Sequence, residues 1–83
     1  MLNKELKLLC LPRLLLICKI VGLSEKEEKV IIHRCNKRKD VTTTSYELNM
    51  CETSVKKYYS SALKRIEDYK NYLQINSLQD IKE

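Results

Sequence analysis

Glycine and proline each occur only once in this chain of 83 residues, and tryptophan and phenylalanine do not occur at all. A β-rich fold reverses its chain often and needs turn-forming residues at each reversal, which this chain does not supply. We therefore predict an all-α fold, a small helical bundle. The length corresponds to one domain with a modest core, which we assign to residues 1–83.

The most apolar stretch, residues 6–21, has to be weighed against a membrane span and a signal peptide. It is shorter than the ~20 residues that cross a bilayer. Three cations interrupt it, and no small-residue cleavage site follows it. We predict two helices instead, Asn3 to Leu11 and Pro12 to Val21, with Pro12 in a first turn and Gly22 just past a helix end. We expect no membrane partner.

The second of these helices is apolar on nearly every side between Leu14 and Val21. One domain of this size cannot easily cover all of that surface. Two interpretations stay open: a central core helix, or an interface for a second copy or for another protein.

A capping box marks the start of the third predicted helix at Ser24. The Ser24 hydroxyl can accept from the Glu27 amide, and the Glu27 carboxylate can accept from the Ser24 amide. Glu25 and Glu28 lie in the same first turn, where the helix dipole favours negative charge. We therefore interpret these carboxylates as structural and not as a catalytic pair. The helix is predicted to run to about Asn36.

The four cysteines are widely spaced, and His33 is the only histidine. A zinc site needs clustered ligands, and that spacing is absent. We therefore expect reduced thiols in a cytoplasmic protein, with no metal and no cofactor. The chain also has no nucleophile–base pair and no glycine-rich phosphate loop, so we predict that it is not an enzyme. The cysteines are Cys10, Cys18, Cys35 and Cys51.

Residues 40–57 carry the pattern on which the functional hypothesis depends. Asp40 is the predicted cap of a short helix that runs from Val41 to about Leu48. Asn49 tolerates the left-handed conformation that ends a helix, so the chain turns a tight corner before Glu52. Beyond the corner, apolar side chains recur at helical spacing, and a polar, basic face lies opposite them. A helix of this kind suits the major groove of DNA.

We predict that this outer face contacts double-stranded DNA. Hydroxyl and amino groups suit bases and phosphates, and Glu52 can accept from a cytosine amino group. The predicted contacts on this helix are Glu52, Thr53, Lys56, Lys57, Ser60 and Lys64. A basic connector precedes the corner, and we expect at least one of its cations to contact phosphate. These cations are Arg34, Lys37, Arg38 and Lys39.

The distribution of charge favours the same segment. The chain has 16 basic and 11 acidic residues and a net charge of +5. Eight basic and three acidic side chains lie between Arg34 and Arg65, so this segment accounts for the whole excess. Such a surface suits a polyanionic partner.

These residues resemble the helix-turn-helix of region four of bacterial primary sigma factors, and that of small phage regulators of the ArpU/RinA type. The matching segments are Leu23 to Ile31, Arg34, and Tyr46 to Ile66, about half of the chain. The family usually has a small residue where the two motif helices touch, which is Ser45 here. Asn49 matches the usual turn residue. The chain departs from the family at Cys51, where a capping Ser or Thr is usual, and at Thr44, where an Ile is expected.

The resemblance implies a helix-turn-helix core over residues 24–66 and a sequence-specific DNA-binding regulator of transcription, sigma-like and encoded by a phage or mobile element. Three forms stay open: a sigma-like fragment that also touches RNA polymerase, a stand-alone phage activator, and a DNA-packaging recognition protein. The alternative from another class is a protein-interaction module that keeps the helix-turn-helix shape without binding DNA.

The recognition helix is predicted to be long and to end at about Tyr72. Apolar residues spaced four and three apart form a heptad seam along it. The second half of the seam either folds back on the N-terminal helices, which residues 1–22 supply, or pairs with a second copy in a homodimer. Residues 67–83 form a helical extension and a polar tail. The seam residues are Val55, Tyr59, Ala62, Ile66, Tyr69 and Leu73.

Overall fold

The computed structural model describes the backbone of residues 2–74 and the side chains of residues 4–74. All regular structure in this part of the chain is helical, which confirms the predicted all-α bundle. The predicted tail from residue 75 onward lies outside the described residues. The helices are α1 (Leu2–Leu8), α2 (Leu11–Val21), α3 (Glu25–Ile31) with a π-helical continuation (Ile32–Asn36), α4 (Val41–Leu48) and α5 (Glu52–Leu73).

The break between α1 and α2 comes earlier than predicted, since α1 ends at Leu8 and not at Leu11. Pro12 has no N–H to donate to the Leu8 carbonyl, so the helical ladder stops there. Cys10 is extended, and α2 begins at Leu11 with Pro12 in its first turn. Gly22 ends α2 in the left-handed conformation, with φ 82°, as predicted. Among the described residues, no helix combines the length and the hydropathy that a bilayer crossing takes.

The predicted capping box opens α3. Ser24 Oγ accepts from the Glu27 amide at 3.3 Å, and Glu27 Oε1 accepts from the Ser24 amide at 3.0 Å. The prediction of a regular helix to Asn36 is corrected in one respect, because the helix widens at Ile32. The Lys37 amide donates to the Ile32 carbonyl, five residues back, at 3.0 Å. π-turns inside helices are rare, and they often occur at functional sites.

The core lies where α5 packs on the first three helices. Leu14 and Ile17 of α2, Ile31 of α3, and Ala62 and Ile66 of α5 are all fully buried in one cluster. Each buried Leu or Ile side chain contributes roughly 1.5–3 kcal/mol by leaving water. The core interpretation of α2 therefore holds for one face of that helix, and its opposite face is exposed.

The second half of the heptad seam packs within the protein itself. Ile66 is fully buried, and Tyr69 packs against the core cluster. Lys70 Nζ lies 2.8 Å from Glu5 Oε2, which joins the end of α5 to α1. Of the two arrangements left open, the seam is intramolecular as far as Tyr69. Ile66 offers no surface to a second copy.

Candidate nucleic-acid interface

α4 is fixed by hydrogen bonds at both of its ends. At its start, Asp40 Oδ1 accepts from the Thr43 amide at 2.7 Å, as the predicted cap should. This bond lowers the pKa of the Asp40 carboxyl. At its end, Asn49 is left-handed, with φ 55° and ψ 44°. The Met50 amide then donates to the Ser45 carbonyl at 3.0 Å, the bond that closes a helix before a sharp turn.

The fully buried residue of α4 is Thr44 and not Ser45, where the family resemblance places the helix contact. Ser45 is half-buried, and its hydroxyl donates to the Thr42 carbonyl at 2.8 Å. Thr44 Oγ1 has no hydrogen-bond partner among the described residues. The side chain that α4 buries most deeply is therefore Thr44, the neighbour of Ser45 in the sequence.

α5 divides into a buried side and a solvent side along its first four turns. Val55 and Ala62 are fully buried. All six contacts predicted on this helix are exposed, and four of them follow each other at intervals of four residues, so they form one line along the helix. The line is Glu52, Lys56, Ser60 and Lys64, with Thr53 and Lys57 beside it.

The start of α5 carries Cys51 in the capping position, and the thiol makes no capping hydrogen bond. Its Sγ lies 3.1 Å from the Ser54 hydroxyl, a contact that lowers the pKa of the exposed Cys51 thiol. The sequence-based view of Cys51 as a poor cap agrees with this arrangement. The first amides of α5 are therefore left without a side-chain acceptor from Cys51.

α4 adds a surface that the sequence reasoning missed. Thr42 Oγ1 donates to Glu52 Oε1 at 3.3 Å, so this side of α4 adjoins the start of the predicted contact face. Tyr46 follows Thr42 by one turn and is 85% exposed. The sequence contains a signal for this surface, because Tyr46 lies outside the apolar stripe of α4. Two hydroxyl groups thus extend the exposed polar surface from α5 onto α4.

The cations of the connector differ in their availability. Arg34 is half-buried: its Nη1 donates to the Lys39 carbonyl at 2.8 Å, and its guanidinium lies 5.1 Å from the centre of the Tyr59 ring. Arg38 is exposed, and its Nη2 donates to the Lys7 carbonyl at 3.5 Å. Lys37 is exposed and Lys39 is half-buried. Arg34 is therefore engaged inside the fold, whereas Lys37 and Arg38 are exposed.

A buried carboxylate connects α5 to α3. Glu27 accepts from the Ser61 hydroxyl at 2.8 Å and from Arg65 Nη1 at 3.1 Å, in addition to closing the capping box with Ser24. Burial raises the pKa of the Glu27 carboxyl, but the bonds from Ser24 and Ser61 and the Arg65 charge outweigh it, and the pKa is lowered. Arg65, counted above as part of the basic segment, thus holds the bundle together.

A cleft of about 380 Å³ lies between α3 and the end of α4. Charges of both signs line it, and Lys29 Nζ pairs with Glu25 Oε1 at 3.1 Å. Within residues 4–74, no three His, Cys, Asp or Glu side chains are grouped to hold a metal ion. The lining residues are Glu25, Lys26, Lys29, Glu47, Leu48, Asn49 and Met50.

No protein-family model, no curated protein and no solved structure matches this chain.

Proposed function

We propose that the protein binds double-stranded DNA sequence-specifically and regulates transcription, with α5 as the recognition helix. The observation that carries the proposal is the division of α5 into two sides. Val55, Ala62 and Ile66 anchor one side in the core. The opposite side presents amines and hydroxyls to solvent over four turns. The major groove of B-DNA is wide enough to admit such a helix.

The side chains on the exposed line have distinct roles in this proposal. Lys56 and Lys57 supply the cations for guanine acceptors and phosphates. Thr53 and Ser60 donate or accept at base edges. Glu52, which Thr42 orients in the free protein, accepts from a cytosine amino group. Lys64 is exposed one turn beyond Ser60, and in this proposal it contacts the phosphate backbone and not a base.

α4 crosses the DNA backbone in this arrangement, as the first helix of such a motif does. The Thr42 and Tyr46 hydroxyls are the groups on α4 that suit phosphate oxygens. Lys37 and Lys39, from the connector, add cations on the chain that leads into α4. Such contacts orient the recognition helix without reading sequence.

Three kinds of DNA-binding protein, which the family resemblance leaves open, are compatible with this proposal. A sigma-like subunit that touches RNA polymerase, a phage activator and a DNA-packaging protein all use the same reading helix. A promoter-like target sequence would favour the first two forms over the third.

Selection from a pool of random duplex DNA, at two salt concentrations, tests the proposal. The wild-type protein should enrich one sequence motif, and its affinity should fall steeply with salt, because roughly four to eight cations displace counterions. Lys56→Glu with Lys57→Glu should abolish the enrichment while the helical content is kept. The matched control is Lys4→Glu with Lys19→Glu, which changes the net charge equally at two exposed positions on α1 and α2, outside the predicted DNA contacts.

The two outcomes separate the classes of function. If the wild type enriches no motif, or if both double variants lose binding equally, α5 is not a reading helix. The second candidate, a protein-interaction module, then becomes the better explanation. Its supporting observation is the exposed apolar surface where α1 meets α2.

A further inference from the structure

Three leucines lie exposed around the corner between α1 and α2. Leu8, the last residue of α1, is 75% exposed, and Leu11 and Leu15 of α2 are 39% and 37% exposed. Leu11 and Leu15 are one helical turn apart and share a face of α2. Leu8 precedes Leu11 by three residues, across the break. We call Leu8, Leu11 and Leu15 the leucine patch.

The surroundings of the leucine patch are positively charged. Residues 6–24 contain three basic residues and no Asp or Glu. Lys7 is exposed beside Leu8, and the Arg38 guanidinium reaches the Lys7 carbonyl, at the same end of α1. The nearest acid on α1, Glu5, is paired with Lys70 at 2.8 Å. Lys7 and Arg38 therefore place positive charge at the α1 end of the patch.

We propose that the leucine patch docks an amphipathic helix of a partner protein, one whose apolar side chains are flanked by Asp and Glu. The apolar side chains of such a helix would cover the leucines, as in helix-in-groove recognition. Its carboxylates would pair with Lys7 and Arg38, and charge-assisted bonds of that kind also fix orientation. The expected partner segment therefore carries large apolar side chains, such as Leu, next to Asp or Glu.

This surface is separate from the proposed DNA contacts. The patch is on α1 and α2, whereas the proposed DNA contacts are on α4, α5 and the connector between α3 and α4. A partner on the leucine patch therefore leaves the first turns of α5 free. Arg38, one of the connector cations predicted to contact phosphate, is assigned to the partner in this proposal.

A second copy of the chain is a poorer occupant than an acidic helix. Face-to-face pairing of two patches would bring Lys7 and Arg38 of each copy against those of the other. No carboxylate in residues 6–24 is present to offset that repulsion. The carboxylates of an acidic partner would instead attract Lys7 and Arg38.

Selection from a displayed library of random peptides on the wild-type protein tests the proposal. Enriched peptides should combine Leu or Phe with Asp and Glu. A synthetic peptide made from the enriched set should bind about tenfold more weakly to Leu8→Ser and to Leu11→Ser, since each change removes a covered leucine. Lys7→Glu should weaken binding by a similar factor.

Two controls match these variants. Lys19→Glu makes the same charge change near the other end of α2, and Tyr46→Ser removes a large, largely exposed side chain from α4. Neither should alter peptide binding. Because Leu8 is largely exposed, Leu8→Ser should keep the helical content and any selected DNA motif, so failure of this proposal is distinguishable from failure of DNA binding.

Several outcomes would overturn the proposal. These are no peptide enrichment, or enriched peptides that bind Leu8→Ser as tightly as wild type. Sedimentation that shows a dimer abolished by Leu8→Ser would assign the patch to a second copy instead. Binding to anionic lipid vesicles that Leu8→Ser abolishes, without peptide enrichment, would assign it to a lipid surface.

Discussion

The Ser61 hydroxyl donates to the Glu27 carboxylate across 2.8 Å, and this bond ties the proposed recognition helix to the first turn of α3. The same carboxylate receives Arg65 and closes the capping box with Ser24. One buried acid therefore both starts α3 and connects α3 to α5. The orientation of the proposed DNA-reading surface depends on a residue that lies outside it.

Glu27→Gln should lower the free energy of unfolding by about 2 kcal/mol, because hydrogen bonds to a charged acceptor are replaced by weaker ones. Urea denaturation at pH 7 measures the change. Glu25→Gln is the control, since Glu25 is exposed and pairs with the exposed Lys29, so its loss should cost less than about 0.5 kcal/mol. Equal effects for the two variants would contradict the role assigned to Glu27.

The same residue should make the protein sensitive to acid. The pKa of Glu27 is lowered in the folded state from its ordinary value of 4.5. Its contribution to stability is therefore complete above pH 4.5 and is lost as the pH falls through the folded-state pKa. Between pH 5 and pH 3, the wild type should lose more stability than Glu27→Gln does.

Arg34→Lys should destabilise the fold although it keeps the charge. Lysine cannot reproduce both the bond to the Lys39 carbonyl and the stacking on Tyr59, so we expect a loss of about 1–2 kcal/mol in urea unfolding. The salt dependence of DNA binding should stay unchanged. Lys57→Gln is the complementary variant, with unchanged stability and a salt slope smaller by about one. A reduced slope for Arg34→Lys would instead make Arg34 a phosphate contact.

Thr44→Val should stabilise the protein by about 1 kcal/mol. It keeps the shape of the side chain and removes a buried hydroxyl that has no partner among the described residues. Thr44→Leu tests the same position in the other direction, since extra volume should cost about 1–3 kcal/mol. Thermal unfolding of both variants measures the difference. If Thr44→Val is destabilised, the hydroxyl has a partner that the geometry does not reveal.

The buried thiol of Cys18 should make the protein sensitive to alkali. Burial raises the pKa of Cys18 to about 12, with smaller contributions from Glu28 and Cys35. An unfolded thiol with a pKa of 9.0 loses its proton earlier, so stability falls as the pH rises from about 9 towards 12. The slope from one thiol is at most about 1.4 kcal/mol per pH unit. Cys18→Ala should show a shallower loss between pH 9 and pH 10 than the exposed-site control Cys10→Ala.

Local signals in the sequence predicted much of this fold. The capping box at Ser24, the cap at Asp40 and the left-handed Asn49 each depend on a few neighbouring residues, and the structure contains all three. The contacts that escaped prediction are long-range. Arg65 reaches Glu27 across 38 residues of sequence, and no local pattern separates such a cation from one that faces solvent.

The candidate site was predictable to a similar extent. Helical periodicity separated the exposed line of α5 from its buried seam, because both repeat within one helix. In α4 the family resemblance pointed to Ser45 as the contact residue, whereas the fully buried side chain is its neighbour Thr44. The engagement of Arg34 by Tyr59 depends on how two helices pack, which periodicity does not report.

The ion pair between Glu5 and Lys70 joins positions 65 residues apart in sequence. The apolar faces of α1 and α2 pack in the same core cluster as Ile66 and Tyr69. These two residues are synthesised after α1 and α2. The corner between α4 and α5 is closed by contacts between residues close in sequence, such as the Met50 amide and the Ser45 carbonyl. It can therefore form before the N-terminal helices pack. Folding should therefore begin in the second half of the chain. During synthesis the N-terminal leucines are the segment that needs protection from aggregation.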